Sequence, residues 1–332
     1  MNALMDKLGT RQATVAVDFG ADAVRVAALR RGPDGRWSVA HAFTLPAVDL
    51  AQGMPASVLQ TFAARVRAAG LRGCGARVTV RTAAFQTDTA SLPALEESEL
   101  AASARFEAIG RLGVDETDTV IRHLTLGGTG DARQVLLLTL PMLTARHAAE
   151  AVVASGLRPG SVEHAALAAL DGVQGNQSAT AEGLTALVHA ENGSATVMLL
   201  RAGRVTFLRA LRGEWRASAA PVPPADARSH DGDIPLDPVD NDAGWRWSSL
   251  AEDTLRCLRQ ACGDGAWPDH LVVSGAAACD RGLIEALGGV CGTPVTAASC
   301  DTWAQSSITL DAGWAACLGA AMHERAPRRR AA

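Results

Sequence analysis

Lysine is almost missing from this chain: Lys7 is the only one in 332 residues. A P-loop needs a lysine after its glycine loop to reach the phosphates, so that kind of nucleotide site is excluded. Schiff-base chemistry and a catalytic lysine in a cleft are excluded by the same count, and arginine carries the positive charge. Metal-type cysteine clusters are missing too. The seven cysteines are odd in number and scattered, with no Cys-x-x-Cys and no Cys/His group at zinc spacing. Reduced thiols of a cytoplasm fit this usage. Cys257, Cys262, Cys279, Cys291 and Cys317 lie in helical or apolar surroundings, where packing is their expected role. No run of about 18 apolar residues offers a membrane-spanning helix. The opening Met1–Leu8 is too short and polar for a secretory signal. The net charge of −4 exerts no pull toward nucleic acid or acidic lipid.

What remains is a soluble globular composition, 48% hydrophobic and 20% charged, long enough for two domains with sizeable cores. One motif occurs twice. Thr14–Leu29 reads as strand, small-residue turn, strand, and is followed by a turn at Gly32–Gly35. Ala186–Leu200 repeats the pattern and is followed by a turn at Ala202–Gly203. In the first copy the turn is Asp18-Phe19-Gly20, in which backbone N–H groups can face a phosphate while the aspartate holds a cation. A third element, His270–Leu287, reads as a buried strand, a glycine turn at Gly275, then a helix. Two related hairpins facing one cleft, followed by that turn, form the layout of the actin, Hsp70 and sugar-kinase superfamily. The fold class expected is therefore α/β, a two-domain actin-like (ribonuclease H-like) fold.

The pass along the chain gives domain I at 13–175 and domain II at 181–308, with a polar linker at Gln174–Ser178 between them. Helices are expected at Pro55–Gly70, Leu92–Ala108, Thr144–Ser155 and Leu250–Ala261. Strands are expected at Ala76–Arg81, Thr117–Leu124 and Arg133–Leu140. Residues about 216–246, rich in Pro, Asp, Ala and Ser, read as a mobile insertion. The small-residue stretch within 309–324 reads as a helix packed between layers, and 325–332 as a solvated basic tail.

The order and content of these motifs resemble the PilM family of type IV pilus assembly proteins, with its MshI and FtsA-like relatives. The resemblance rests on Val17–Ala21, on Leu92–Leu95 with Glu99–Ala101 and Phe106–Ala108, and on Ala154–Glu163. It also rests on Leu199–Val205, Ser274-Gly275 and Ala316–Ala321. It covers nearly the whole chain. It implies a cytoplasmic protein, peripheral to the inner membrane through its partner, that binds ATP between its domains. It also implies an inserted subdomain at about 82–160, beside which the N-terminal cytoplasmic tail of a single-span, PilN-like partner docks. The implied role is scaffolding of a pilus or type II secretion machine among other assembly proteins.

Carried onto this sequence, the first phosphate site is intact. Asp18 would hold Mg²⁺, and Gly20, Ala21, Asp22 and Ala23 would present N–H groups to phosphate. A carboxylate at Asp22 must face away from that phosphate. Asp18 also reads as a simple turn-capping aspartate. The second site departs. His189-Ala190-Glu191 lies over the family's Asp-x-Gly, with Gly193 and Ser194 following. Imidazole is a poor ligand for hard Mg²⁺. Glu191 would repel a triphosphate by a few kcal/mol at an effective dielectric of about 20. The other reading is that Gly193 shifts the register and rebuilds the turn. At the adenosine turn Gly275 stands before Ala276, and each added Cβ narrows the room for a base. Glu252 and Arg256 either reach adenine or ribose or are solvated charges. His123, His147 and His164 read as structural histidines. The expectation is a weakened or lost ATP–Mg²⁺ site and no turnover. The alternatives are a small-metabolite kinase, which needs a general-base Asp at the second hairpin where this chain offers His189 as a proton acceptor, and an FtsA-like filament protein.

Overall fold

The computed structural model describes residues 13–129, 131–176, 183–215 and 243–323. Residues 1–12, the basic tail, most of the 216–246 insertion and part of the linker lie outside these residues. Two five-stranded sheets carry the same topology. The first is ordered β3-β2-β1-β4-β8 and the second β11-β10-β9-β12-β13. In the first lobe β1 (Thr14–Phe19), β2 (Ala23–Arg31) and β3 (Trp37–Pro46) form an antiparallel meander. There β4 (Gly75–Val80) and β8 (Arg158–His164) add in parallel. In the second lobe β9 (Leu184–Glu191), β10 (Ser194–Arg201) and β11 (Arg204–Arg212) form the meander. Parallel strands β12 (His270–Ser274) and β13 (Val295–Ala297) complete it.

Strand alternation decides what covers each face of the first sheet. Val15, Val17, Phe19, Val24 and Val26 point to one side, against Phe62 and Val66 of α1 (Ala56–Ala68) and Ala148 and Val152 of α3 (Met142–Ser155). Ala16, Ala27 and Leu29 point to the other side. Small side chains there admit α4 (Ala165–Asn176) and α7 (Ala315–Met322), which lie between the lobes. These two helices cross backbone to backbone: a Cβ on Gly319 would stand 1.8 Å from the Ala168 carbonyl oxygen. The lobes are also stitched at the sheet edge, where Val39 N–H donates to Gln305 O (2.8 Å) and Gln305 N–H to Trp37 O (2.9 Å). In the second lobe α5 (Ala243–Cys262) packs against α6 (Arg281–Cys291).

A third sheet, ordered β5-β7-β6, is inserted in the first lobe. Its strands are β5 (Gln86–Pro93), β6 (Thr119–Thr129) and β7 (Ala132–Pro141), and α2 (Glu97–Leu112) lies on it. Two expectations are corrected here. The helix expected from Leu92 starts at Glu97, because Gln86–Pro93 pairs along β7 as an edge strand. The insertion expected at about 82–160 is the narrower span 86–141, because α3 and β8 return to the first lobe's own core. The central strand of the inserted sheet, β7, is buried on both faces. Val135 and Leu137 meet Leu100 and Ala104 of α2, whereas Leu126, Leu136 and Leu138 join the core that contains Leu208 of the second lobe. No helix among the described residues is long and apolar enough to cross a membrane.

Candidate functional site

The β1–β2 turn runs from Gly20, whose N–H donates to Ala23 O at 3.1 Å. Asp18 sits one pair inside it, opposite Arg25 and beside Thr79 of β4. Asp18 is buried, and its Oδ1 accepts from the Thr79 hydroxyl at 2.7 Å. Burial pushes its pKa up to about 6, against the pull of Arg25 and Thr79. The Arg25 guanidinium grips the Asp22 carboxylate with both terminal nitrogens, at 2.9 and 2.7 Å. Asp22 is thus turned toward an arginine of its own chain, the neutralisation that its place in the turn requires. Arg25 is itself buried between two loops: a Cβ on Gly20 would stand 3.1 Å from one terminal nitrogen, and a Cβ on Gly313 2.7 Å from the other. Burial disfavours the Arg25 charge, but Asp22, then Asp18 and Asp311, hold its pKa above the ordinary arginine value.

The second hairpin has the same frame with different chemistry. His189 lies opposite Thr196 and beside Ser274 of β12, as Asp18 lies opposite Arg25 and beside Thr79. The register therefore puts His189 where the first lobe has Asp18, and Glu191 where it has Gly20. Gly193 does not shift that register; strand pairing runs on to Glu191–Ser194, and Asn192-Gly193 closes the hairpin. The Gly193 N–H is already used, donating to Trp215 O at 2.9 Å. His189 Nδ1 lies 3.0 Å from the Ser274 hydroxyl. Burial, with His164 and Arg25 nearby, pushes the His189 pKa down to about 3, so the ring is neutral at physiological pH. His164, at the end of β8, is likewise held neutral by burial, at about 4. Its Nδ1 accepts from Ala166 N–H at 3.2 Å, which puts the ring proton on Nε2. The Nε2 atoms of both histidines, Ser194 Oγ and Thr196 Oγ1 are buried with no hydrogen-bond partner among the described residues.

Glu191 crosses the cleft. It is buried, and its Oε2 accepts from the Thr82 backbone N–H of the first lobe at 2.8 Å. Burial, and then the Asp18 charge, push its pKa up to about 7. Arg212, at the end of β11, reaches the same segment and donates to the Ala83 and Phe85 carbonyls at 3.2 Å each.

Gly275, at φ +89°, packs against the second hairpin: a Cβ there would stand 2.4 Å from the Ala190 carbonyl oxygen. Its glycine is required by that approach of two main chains. Ala276 follows half-buried, in a single 3₁₀ turn, Ala276–Cys279. Glu252 is exposed on α5, and Arg256 on the same helix pairs with Asp253 at 2.7 Å. The structure thus buries Asp18, His189, Glu191 and Ser194 in this region, leaves Asp22 exposed at the turn on Arg25, and leaves Glu252 exposed on α5. His123 and His147 stand apart, on Glu97 Oε1 (3.4 Å) and on Leu50 O (2.7 Å).

Arg25, Thr82, His164 and Arg212 belong to this region and were not singled out as site residues by sequence. Arg25 was within reach: once Asp18 is placed one pair inside the turn, strand pairing puts Arg25 directly across from it. The contacts of Thr82 and Arg212 depend on how the lobes meet, and no local pattern encodes them.

Beside the cleft is a groove of about 350 Å³. Phe19, Val48, Leu50 and Val80 give it an apolar lining; Thr119 and Thr139 come from the inserted sheet, Thr144 from α3, and Arg212 of the second lobe completes it.

No family model matches the chain, and no curated protein matches it. Solved structures do. The chain superposes on a structure titled as the PilM–PilN type IV pilus biogenesis complex with a TM-score of 0.73 and 17% identity, covering 94% of this chain and 98% of that one. It also superposes on a Bacteroides thetaiotaomicron protein described as having an actin-like ATPase fold and unknown function. That match has a TM-score of 0.51 and 9% identity, and covers 89% and 94% of the two chains. At these identities the likeness shows the fold, which is two-domain and actin-like, as the repeated hairpin requires.

Proposed function

We propose that this chain is a cytoplasmic actin-like scaffold of a type IV pilus or related type II secretion machine. In this reading it holds the N-terminal cytoplasmic tail of a single-span, PilN-like membrane protein and reaches the inner membrane only through that partner. Its ATP–Mg²⁺ site is weak or lost, and it does not turn over nucleotide. The observation that carries this reading is the self-paired cleft next to an open groove. Arg25 neutralises Asp18 and Asp22 from within the chain. Glu191 puts a carboxylate near Asp18, where the matching hairpin has a glycine, and the Gly193 N–H is spent on Trp215. Those groups do not fit a magnesium triphosphate, so no catalytic step is drawn through one. The groove, by contrast, combines an apolar lining with threonines and an arginine, which suits a short extended peptide. The likeness to a complex titled for two partners supports a membrane protein of that kind.

The kinase alternative needs a general base. His189, the residue that sequence offered, is a weak acceptor at a pKa of about 3, which argues against it as that base. Calorimetric titration with Mg-ATP tests the degenerate site: submicromolar affinity, or hydrolysis abolished by Asp18→Ala, overturns it. A labelled peptide of the N-terminal cytoplasmic tail of a PilN-like single-span membrane protein tests the groove. It is expected to bind the wild type and to lose affinity in Ala84→Trp, which fills the groove. Equal binding to both rejects the assignment.

A further inference from the structure

The segment Thr82–Phe85 belongs to two sites at once. Ala83 and Ala84 are a wall of the groove. The second lobe holds that same wall at three points: Glu191 on the Thr82 N–H, and Arg212 on the Ala83 and Phe85 carbonyls. Glu191 and Arg212 end the two outer strands of the second-lobe meander, β9 and β11, and both pair with Ser194 of β10. Strand β10 between them packs on the 3₁₀ turn that begins at Thr82. Within the first lobe the Phe85 ring packs at a tilt against His164, the ring centres 4.7 Å apart.

We infer that the second lobe clamps the groove wall through Glu191 and Arg212, so that groove occupancy and lobe closure form one equilibrium. This rests on the reading above, that a partner tail fills the groove. When the lobes separate, the Thr82 N–H and the two carbonyls lose their charged partners together and the wall is free to move. A tail that needs the wall in place therefore binds the closed form better. By thermodynamic reciprocity it holds the lobes closed. Arg212 acts as a positioning residue that reaches across from the other lobe, and a groove in the first lobe alone lacks it.

Backbone amide hydrogen exchange on the full chain tests the clamp without any ligand. Arg212 is exposed, so Arg212→Ala is expected to fold. It is expected to speed exchange across 82–86 about tenfold, the scale of one lost charged hydrogen bond. At about pH 5 Glu191→Ala is expected to do the same at Thr82, whereas Glu191→Gln, which keeps an acceptor, leaves exchange near the wild-type rate. Unchanged exchange at 82–86 in both alanine variants overturns the clamp. The tail peptide of the previous section then separates the two ideas. Wild-type binding that is weakened about tenfold by Arg212→Ala supports the coupling. Wild-type binding untouched by Arg212→Ala overturns the coupling and leaves the groove assignment standing. A tail that fails to bind the wild type overturns the groove assignment and with it the coupling, even where exchange reveals the clamp.

Discussion

Replacing Glu191 by glutamine should change how stability depends on pH, and the size follows from the structure. The carboxyl is buried, beside Asp18, with a single backbone donor, and its pKa rises from 4.5 to about 7 on folding. Below pH 4.5 the group is protonated in both states and its stabilising contribution is complete. Between 4.5 and about 7 the unfolded chain releases the proton while the folded chain keeps it, so stability falls with rising pH and then levels off. That displacement corresponds to about 3 kcal/mol. Glutamine cannot titrate, yet its amide oxygen can still accept from Thr82. Urea unfolding of both proteins at about pH 4.5 and about pH 7.5 should therefore show the difference moving by about 3 kcal/mol in favour of the variant as pH rises. Because Asp18 is present in both, the change reports Glu191 together with its repulsion of Asp18. A difference that stays constant across that range would mean that Glu191 is not a buried acid at the lobe interface.

Three further outcomes are expected. His189 is depressed from 6.5 to about 3, so its contribution is present above pH 6.5 and is lost on acidification. Melting curves of wild type and His189→Asn should diverge by about 2–3 kcal/mol between pH 6.5 and about 4.5, the wild type losing more. Gly319→Ala drives a methyl into the Ala168 carbonyl and should cost about 4 kcal/mol or more, seen as a collapsed melting temperature or insoluble protein. Gly289→Ala, also in a helix but with open space around it, should instead stabilise by about 0.5–1 kcal/mol.

The repeated hairpin was legible because its signal is local. Alternating β-branched residues, small-residue turns and a fixed distance to the following strands specify each meander without reference to the other. Strand register pairs Asp18 with Arg25 and His189 with Thr196, each seven residues on, whereas sequence had laid His189-Ala190-Glu191 only over the family's Asp-x-Gly. Strand β5 was hidden because Gln86–Pro93 is polar, an edge strand with little alternation, and adjoins a helix start. Strand β8 was hidden because Arg158-Pro159-Gly160 reads as a turn, although it pairs along β4. The charges of the cleft were legible as a list and illegible as pairs. Whether Asp22 opposes a phosphate or is held by Arg25, and whether Glu191 faces a ligand or a backbone amide, depends on the approach of segments far apart in the chain.

The crossing of α4 and α7 sets an order on biosynthesis. The face of the first sheet that carries Ala16, Ala27 and Leu29 is covered by a helix that emerges from the ribosome after every other described element. Cys317 of that helix rests 3.7 Å from the Ala16 carbonyl oxygen, nearly the full described length of the chain away. The nascent first lobe must therefore wait, with an apolar flank uncovered, while the second lobe is translated. A chaperone that shields alanine-rich surfaces would find its longest engagement there, and premature termination before residue 315 would leave a sticky half-sheet rather than a shortened working protein.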